Sequence, residues 1–232
     1  MQKVTSPPRS ETISELAFRK LRHDILRGGH APGTKLKLEL LQAHYGYSSS
    51  PLREALNRLS QEGLVLSDER RGFRVGPVSL QDFADITRMR LMLDLQALRE
   101  SLTRGDDAWE ARLLARFHQL ELLEARMPDG PVILDDEWSA RHKAFHMAML
   151  EACTSSRQLD WCESLFDQAE RYRYLSASFR PAGRRKSEEH RRLLQAALRR
   201  DADTACALLD DHIRSTERNV QAALKRLESV GH

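Results

Sequence analysis

The stretch SSSPLREAL, Ser48 to Leu56, decides how the front of this chain is read. Three hydroxyl side chains precede a proline, and an Arg-Glu pair then rides on an apolar repeat of helical spacing. Proline is comfortable in the first turn of a helix, where the amide it lacks would have no intrahelical partner, and serine at the cap accepts from the amides that remain. The stretch therefore opens a helix. Leu52, Ala55, Leu56 and Leu59 give it an inward stripe and Gly63 closes it, which leaves Ser48, Ser49, Ser50, Arg53 and Arg58 as outward candidates.

Upstream, Ile13, Leu16, Ala17, Leu21 and Ile25 recur at helical spacing between Thr12 and Arg27, with Ser10 as N-cap and Gly28-Gly29 as the stop. The APGT turn at residues 31 to 34 interrupts the pattern, a short helix follows from about Leu38 to Tyr45, and Gly46 ends it. Downstream, LVLS and GFRV read as two short strands joined by DERRG, with Gly72 free to take a positive φ. Helix, turn, helix, then a helix tipped with small polar donors and a basic hairpin: this order predicts a winged helix-turn-helix over residues 1 to 75.

That arrangement suits a DNA duplex. A helix N-terminus offers N–H groups and a positive dipole end to phosphate, the serine hydroxyls donate to phosphates or base edges, and Arg53 one turn later can fork onto guanine. Arg70 and Arg71 at the hairpin can enter the neighbouring minor groove or clamp its phosphates. A Ser-Ser-Ser-Pro run alone is usually an ordinary loop and cap; the ordered combination points to DNA. Charge agrees, because residues 1 to 78 hold 13 Lys and Arg against 8 Asp and Glu, whereas the remainder holds 24 against 26.

The whole chain, at 232 residues with 41% hydrophobic, 31% charged and 6% aromatic residues, reads as a mostly α protein of two domains. No apolar run approaches a membrane span and MQKVTSPPRS lacks the apolar core of a signal peptide, so the expected location is the cytoplasm. Cys153, Cys162 and Cys206 are scattered without CxxC spacing and read as structural thiols. After a linker at residues 76 to 80, about six helices are expected, near 79 to 103, 106 to 127, 133 to 152, 157 to 176, 184 to 200 and 202 to 229. They make an antiparallel bundle over residues 81 to 229, and bundles build ligand sites from inward side chains of facing helices.

Within that bundle, ARHKAFHMAML sets His142 and His146 four residues apart on one helix face, a spacing at which two neutral imidazoles bind one metal. EEHRRLLQAAL and LLDDHIRST each carry one more histidine, His190 and His212. A single such histidine is usually a hydrogen-bonded core residue. Direct recognition of a carboxylate by histidines and an arginine is the alternative use of the same residues. Arg171 and Arg173 in ERYRYL are candidates for that arginine, with Tyr172 or Tyr174 adding a hydroxyl. A metal-dependent hydrolase is the enzyme alternative, but the chain has no HExxH, no P-loop and no glycine-rich dinucleotide turn.

PGTKL (Pro32 to Leu36), GYSSSPLREAL (Gly46 to Leu56), EGLV (Glu62 to Val65) and RGFRV (Arg71 to Val75) resemble the signature of the GntR family of bacterial transcription regulators, with Ser49 where the family usually has arginine. The text from Ser79 to Leu102 resembles the start of the all-helical effector domain, the FCD domain, of its FadR subfamily, with Arg90 and Asp94 in the places of an Arg-x-x-x-Glu pair. The resemblance implies that Arg90 faces the effector cavity. It also implies that an Asp and three histidines hold Zn²⁺, Ni²⁺ or a similar divalent ion; His146, His190 and His212 match the histidines, and His142 stands where the Asp is expected. The stretches REAL, GDDAWEA and RHKAFH are similar to those of glutarate-sensing repressors of this subfamily. The expected protein is a homodimeric, non-enzymatic repressor that reads a palindromic DNA operator and is released by a small dicarboxylate such as glutarate. The competing expectation is a DNA-binding protein whose bundle serves only to dimerise.

Overall fold

The computed structural model describes residues 11–68, 72–126, 136–177 and 186–230. The chain divides into two compact units, Met1–Pro77 and Val78–His232.

The first unit runs α1 (Ile13–Leu26), β1 (Lys35–Leu36), α2 (Leu38–Tyr45), α3 (Ser49–Gln61), β2 (Val65–Asp68) and β3 (Gly72–Val75). Thr12 caps α1, its hydroxyl accepting from the Glu15 amide at 3.2 Å; the expected cap Ser10 lies outside the described residues, as do Arg70 and Arg71. Gly46 ends α2 in the left-handed region at φ 72°, a conformation that side chains with a Cβ rarely adopt. The α1 stripe Ala17, Leu21 and Ile25 and the α3 stripe Leu52, Ala55, Leu56 and Leu59 are buried to 1% exposure or less. Each fully buried leucine or isoleucine contributes about 1.5–3 kcal/mol, so this pairing fixes how α3 is presented.

The wing has one strand more than expected. β1 pairs antiparallel with β3, which pairs in turn with β2, giving the order β1-β3-β2. The register sets Leu36 opposite Phe73 and Lys35 opposite Arg74. Two residues are too few to show a period of two, so the turn chemistry of APGT masked the strand.

The second unit consists of α4 (Leu80–Arg104), α5 (Asp107–Glu124), α6 (Asp136–Leu150), α7 (Ser156–Ala177), α8 (Lys186–Leu198) and α9 (Ala202–Val230). Ser79 caps α4 and Asp106 caps α5, each accepting from the amide three residues on. Leu98, Trp109, Leu113, Phe145, Met149, Cys162, Leu193, Ala197, Leu209 and Ile213 form one core shared by all six helices. Trp109 donates its indole N–H to the Ala148 carbonyl at 2.8 Å, and the Ser101 hydroxyl donates to the Leu150 carbonyl at 2.7 Å, which ties α5 and α4 to α6. Among the described residues, no helix is long and apolar enough to cross a membrane. The bundle thus holds α6, α8 and α9 with their histidines turned inward.

Candidate metal centre and nucleic-acid interface

At the tip of α3, Ser48 is the N-cap, but its hydroxyl makes no capping bond. This departs from the expectation that a serine accepts there. The first-turn amides, which have no intrahelical acceptor, are therefore left to an outside one. Ser48, Ser49, Ser50 and Arg53 are exposed. Among the described residues Arg53 has no ion pair; its neighbour Glu54 instead accepts from the Ser14 hydroxyl of α1 at 2.6 Å. Arg58, expected among the outward contacts, is turned the other way. Its guanidinium pairs with Glu15 of α1 at 2.6 Å and lies 3.8 Å from the Phe18 ring centroid, so it belongs to the α1–α3 packing.

The wing adds a pair that the sequence did not reveal. Lys35 and Arg74 are directly opposed on neighbouring strands and both are exposed. Like charges opposed across a ladder repel, so this pair favours an anion on that face. Gly72 opens β3 at φ 77°, the positive value read from its place in the hairpin.

In the second unit the four histidines converge. His142 and His146 from α6, His190 from α8 and His212 from α9 each offer a ring nitrogen within 4.8 Å of the others. The Nε2 atoms of His142 and His146 are 3.0 Å apart. A tetrahedral ion with Zn–N bonds of about 2.0–2.1 Å would set its nitrogens roughly 3.3–3.4 Å apart, between the 3.0 Å of the His142–His146 pair and the 4.8 Å that bounds the set. The Trp138 indole stacks on His142 with centroids at 4.4 Å, and Phe145 packs on His146 and His190 at 5.5 Å, which fixes the ring planes.

Burial holds the His142 and His146 pKa values well below the ordinary imidazole value, and the neighbouring rings with Arg173 and Arg90 push the same way. Burial lowers His212 as well, against the opposing pull of Glu189. Neutral imidazole is the form that ligates a metal, so burial favours the ligating form of these three rings.

Beside the rings lie two buried arginines, each with its own carboxylate. Arg90 reaches Asp94 through Nη2 at 2.9 Å and Nε at 3.0 Å, one turn along α4. Arg173 pairs with Glu170 on α7, and its Nη1 lies 3.5 Å from His142 Nδ1. The two guanidiniums flank the Phe166 ring at 5.0 and 4.1 Å. Asp94 Oδ1, Glu170 Oε1 and Arg173 Nε are buried with no hydrogen-bond partner among the described residues. Buried polar atoms are nearly always satisfied, so this ring of charges is built to take a further polar group.

Of the candidates in ERYRYL, Arg173 enters this ring; Arg171 and Tyr172 do not. Tyr172 donates its hydroxyl to Asp82 and packs on Phe83 at 4.5 Å, and Arg171 lies near the same Asp82 carboxylate and Tyr172 hydroxyl at the start of α4. Tyr174 shares a hydrogen bond with Ser139 at 2.9 Å. Residues two apart on a helix point about 200° apart, which separates Arg171 from Arg173. The counter-ion Glu170 went unread, although its three-residue spacing from Arg173 is a visible pairing signal.

Comparison with known proteins agrees with both halves of this description. Residues 13–75 match the gntR family of bacterial regulatory proteins and residues 85–215 match the FCD domain. The chain is 37% identical over 221 residues to the HTH-type transcriptional repressor GlaR of Escherichia coli K12, covering 92% of this chain and 98% of that protein. It is 39% identical over 205 residues to the transcriptional regulator BphR of Paraburkholderia xenovorans LB400, covering 88% and 84%. The solved structure of E. coli McbR/YncC superposes with a TM-score of 0.71 at 21% identity, over 93% of this chain and 99% of that one, and shares the fold. The chain therefore belongs to the GntR family and carries an FCD domain: it is a DNA-binding transcriptional regulator and not an enzyme.

Removing one member of a buried ion pair strands the other. Asp94→Ala leaves the Arg90 guanidinium buried without its counter-ion and should cost about 3–5 kcal/mol in denaturant unfolding. A loss under 1 kcal/mol would show that Arg90 reaches water instead.

Proposed function

We propose that the protein is a repressor whose bundle binds a small dicarboxylic acid at the junction of the four histidines and the two arginines, and that this binding lowers its affinity for DNA. The observation that carries the reading is the buried Arg173 Nε, a donor with no acceptor among the described residues, on the arginine whose Nη1 lies 3.5 Å from His142 of the histidine cluster. A carboxylate supplies that acceptor, and guanidinium takes it with a charge-assisted bond about twice as strong as a neutral one. The resemblance of RHKAFH and GDDAWEA to glutarate-sensing repressors favours a five-carbon diacid.

The donor set suits Zn²⁺ or Ni²⁺, held by His142, His146, His190 and His212. When bound, such an ion would supply a positive charge, and with five- or six-fold coordination it would leave a position for a carboxylate oxygen. The protein's own part is to keep the rings neutral, to exclude water with Trp138, Phe145 and Phe166, and to orient the acid with Arg90 and Arg173.

At the DNA, the α3 amides and Ser48, Ser49 and Ser50 meet a phosphate or base edge, Arg53 reaches a base, and Lys35, Arg74 and the hairpin arginines Arg70 and Arg71 hold backbone phosphates. A homodimer matches two such heads to half-sites of a palindrome about one helical turn apart, as expected of a cytoplasmic repressor.

The test is a thermal-shift panel of C4 to C6 dicarboxylates, with and without chelator. An acid at 100 times its dissociation constant should stabilise the protein by about 2.7 kcal/mol, and less after the metal is stripped. A midpoint that no acid and no chelator moves would leave the bundle as a dimerisation module alone. Arg53→Ala should cost about 1–3 kcal/mol of operator binding with the thermal midpoint unchanged; wild-type affinity would remove Arg53 from the interface.

A further inference from the structure

All four donors of the cluster are imidazoles, which bring no negative charge to an ion, and Arg90 and Arg173 are paired with Asp94 and Glu170. A divalent ion placed there keeps its full charge in a buried, low-dielectric setting, which is costly unless a carboxylate stands close by. The structure places one directly behind a ring. Glu189 Oε2 lies 3.3 Å from His212 Nδ1.

We propose that Glu189 is a positioning residue for the metal, holding His212 in the ligating tautomer and supplying, through that ring, the negative charge the four imidazoles lack. The proposal rests on the metal reading given above. A carboxylate that accepts from Nδ1–H fixes the proton there, leaves the Nε2 lone pair for the ion, and raises the ring's basicity.

The surroundings of His142 and His190 differ. His142 Nδ1 faces the Arg173 guanidinium at 3.5 Å, which is a donor and opposes an Nδ1 proton. His190 Nδ1 has Glu124 at 3.8 Å, and that carboxylate also accepts from the Trp138 indole at 3.0 Å. Among the described residues, Glu189 is the nearest carboxylate to any of the four rings. Its side chain is 34% exposed, and it borders a cleft of about 310 Å³ between α8 and α9 that reaches His212. Replacing it opens no cavity in the core, so its loss reads out on the ion.

The adjacent Glu188 is the matched control. It carries the same charge in the same first turn of α8 but pairs outward with Arg191. Full-length protein, stripped with chelator, is titrated with Zn²⁺ and then Ni²⁺ by calorimetry. Glu189→Gln should bind about 10–100-fold more weakly than wild type. Glu188→Gln should bind as wild type does, Glu189→Asp should recover affinity, and the metal-free thermal midpoint should be the same in all of them. Wild-type affinity in Glu189→Gln overturns the proposal while leaving the metal reading intact. An equal weakening in Glu188→Gln, or a lowered metal-free midpoint in Glu189→Gln, reduces the effect to helix charge or packing and also overturns it. A wild type that takes up neither ion overturns the metal reading, and this inference with it.

Discussion

Four imidazole rings from three helices meet inside the C-terminal bundle, and the rest of that unit is arranged to make their burial tolerable. Charged, they would repel one another and face two guanidiniums; neutral, they need hydrogen-bond or ligand partners. The surrounding residues answer both demands. Trp138, Phe145 and Phe166 exclude water and hold the rings in place, while the carboxylates of Asp94 and Glu170 balance the arginines. Replacing a buried ion pair with well-packed apolar residues is often neutral or stabilising, so stability alone does not call for such a polar centre.

The DNA-binding unit follows the opposite logic. Its interior is apolar packing of α1 and α3 with Leu36, Phe73 and Val75 of the sheet, and Ser48, Ser49, Ser50 and Arg53 are outside. Its surface has a helix tip whose cap side chain leaves the amides unused, an arginine, Arg53, with no ion pair among the described residues, and a wing with opposed cations. These are arrangements that gain from a polyanion and gain little from the protein itself.

Much of this was legible in the text of the chain. SSSPLREAL carries its proline, its cap and its apolar stripe in one segment, so α3 and its outward Arg53 follow from local rules. Arg58 did not, because its partners Glu15 and Phe18 are supplied by another helix some forty residues earlier. β1 is too short to have a pattern. His142 and His146 declare themselves by spacing, whereas bringing His190 and His212 to the same point required either the fold or a family resemblance. The inward arginine of ERYRYL could not be chosen from sequence, since both Arg171 and Arg173 are buried and only the helix phase in the packed bundle separates them.

The two units meet in function only if occupancy of the bundle changes the affinity of the heads for DNA, and that change is bounded by the ligand's preference between the two states. The direct measurement is fluorescence anisotropy of a labelled operator duplex bound to the metal-loaded, full-length protein while glutarate is titrated in at fixed salt. Release of the duplex, with an affinity loss of about 5–150-fold at saturation, is the predicted result. An operator affinity that stays constant through saturating glutarate and the other C4 to C6 diacids would contradict the account.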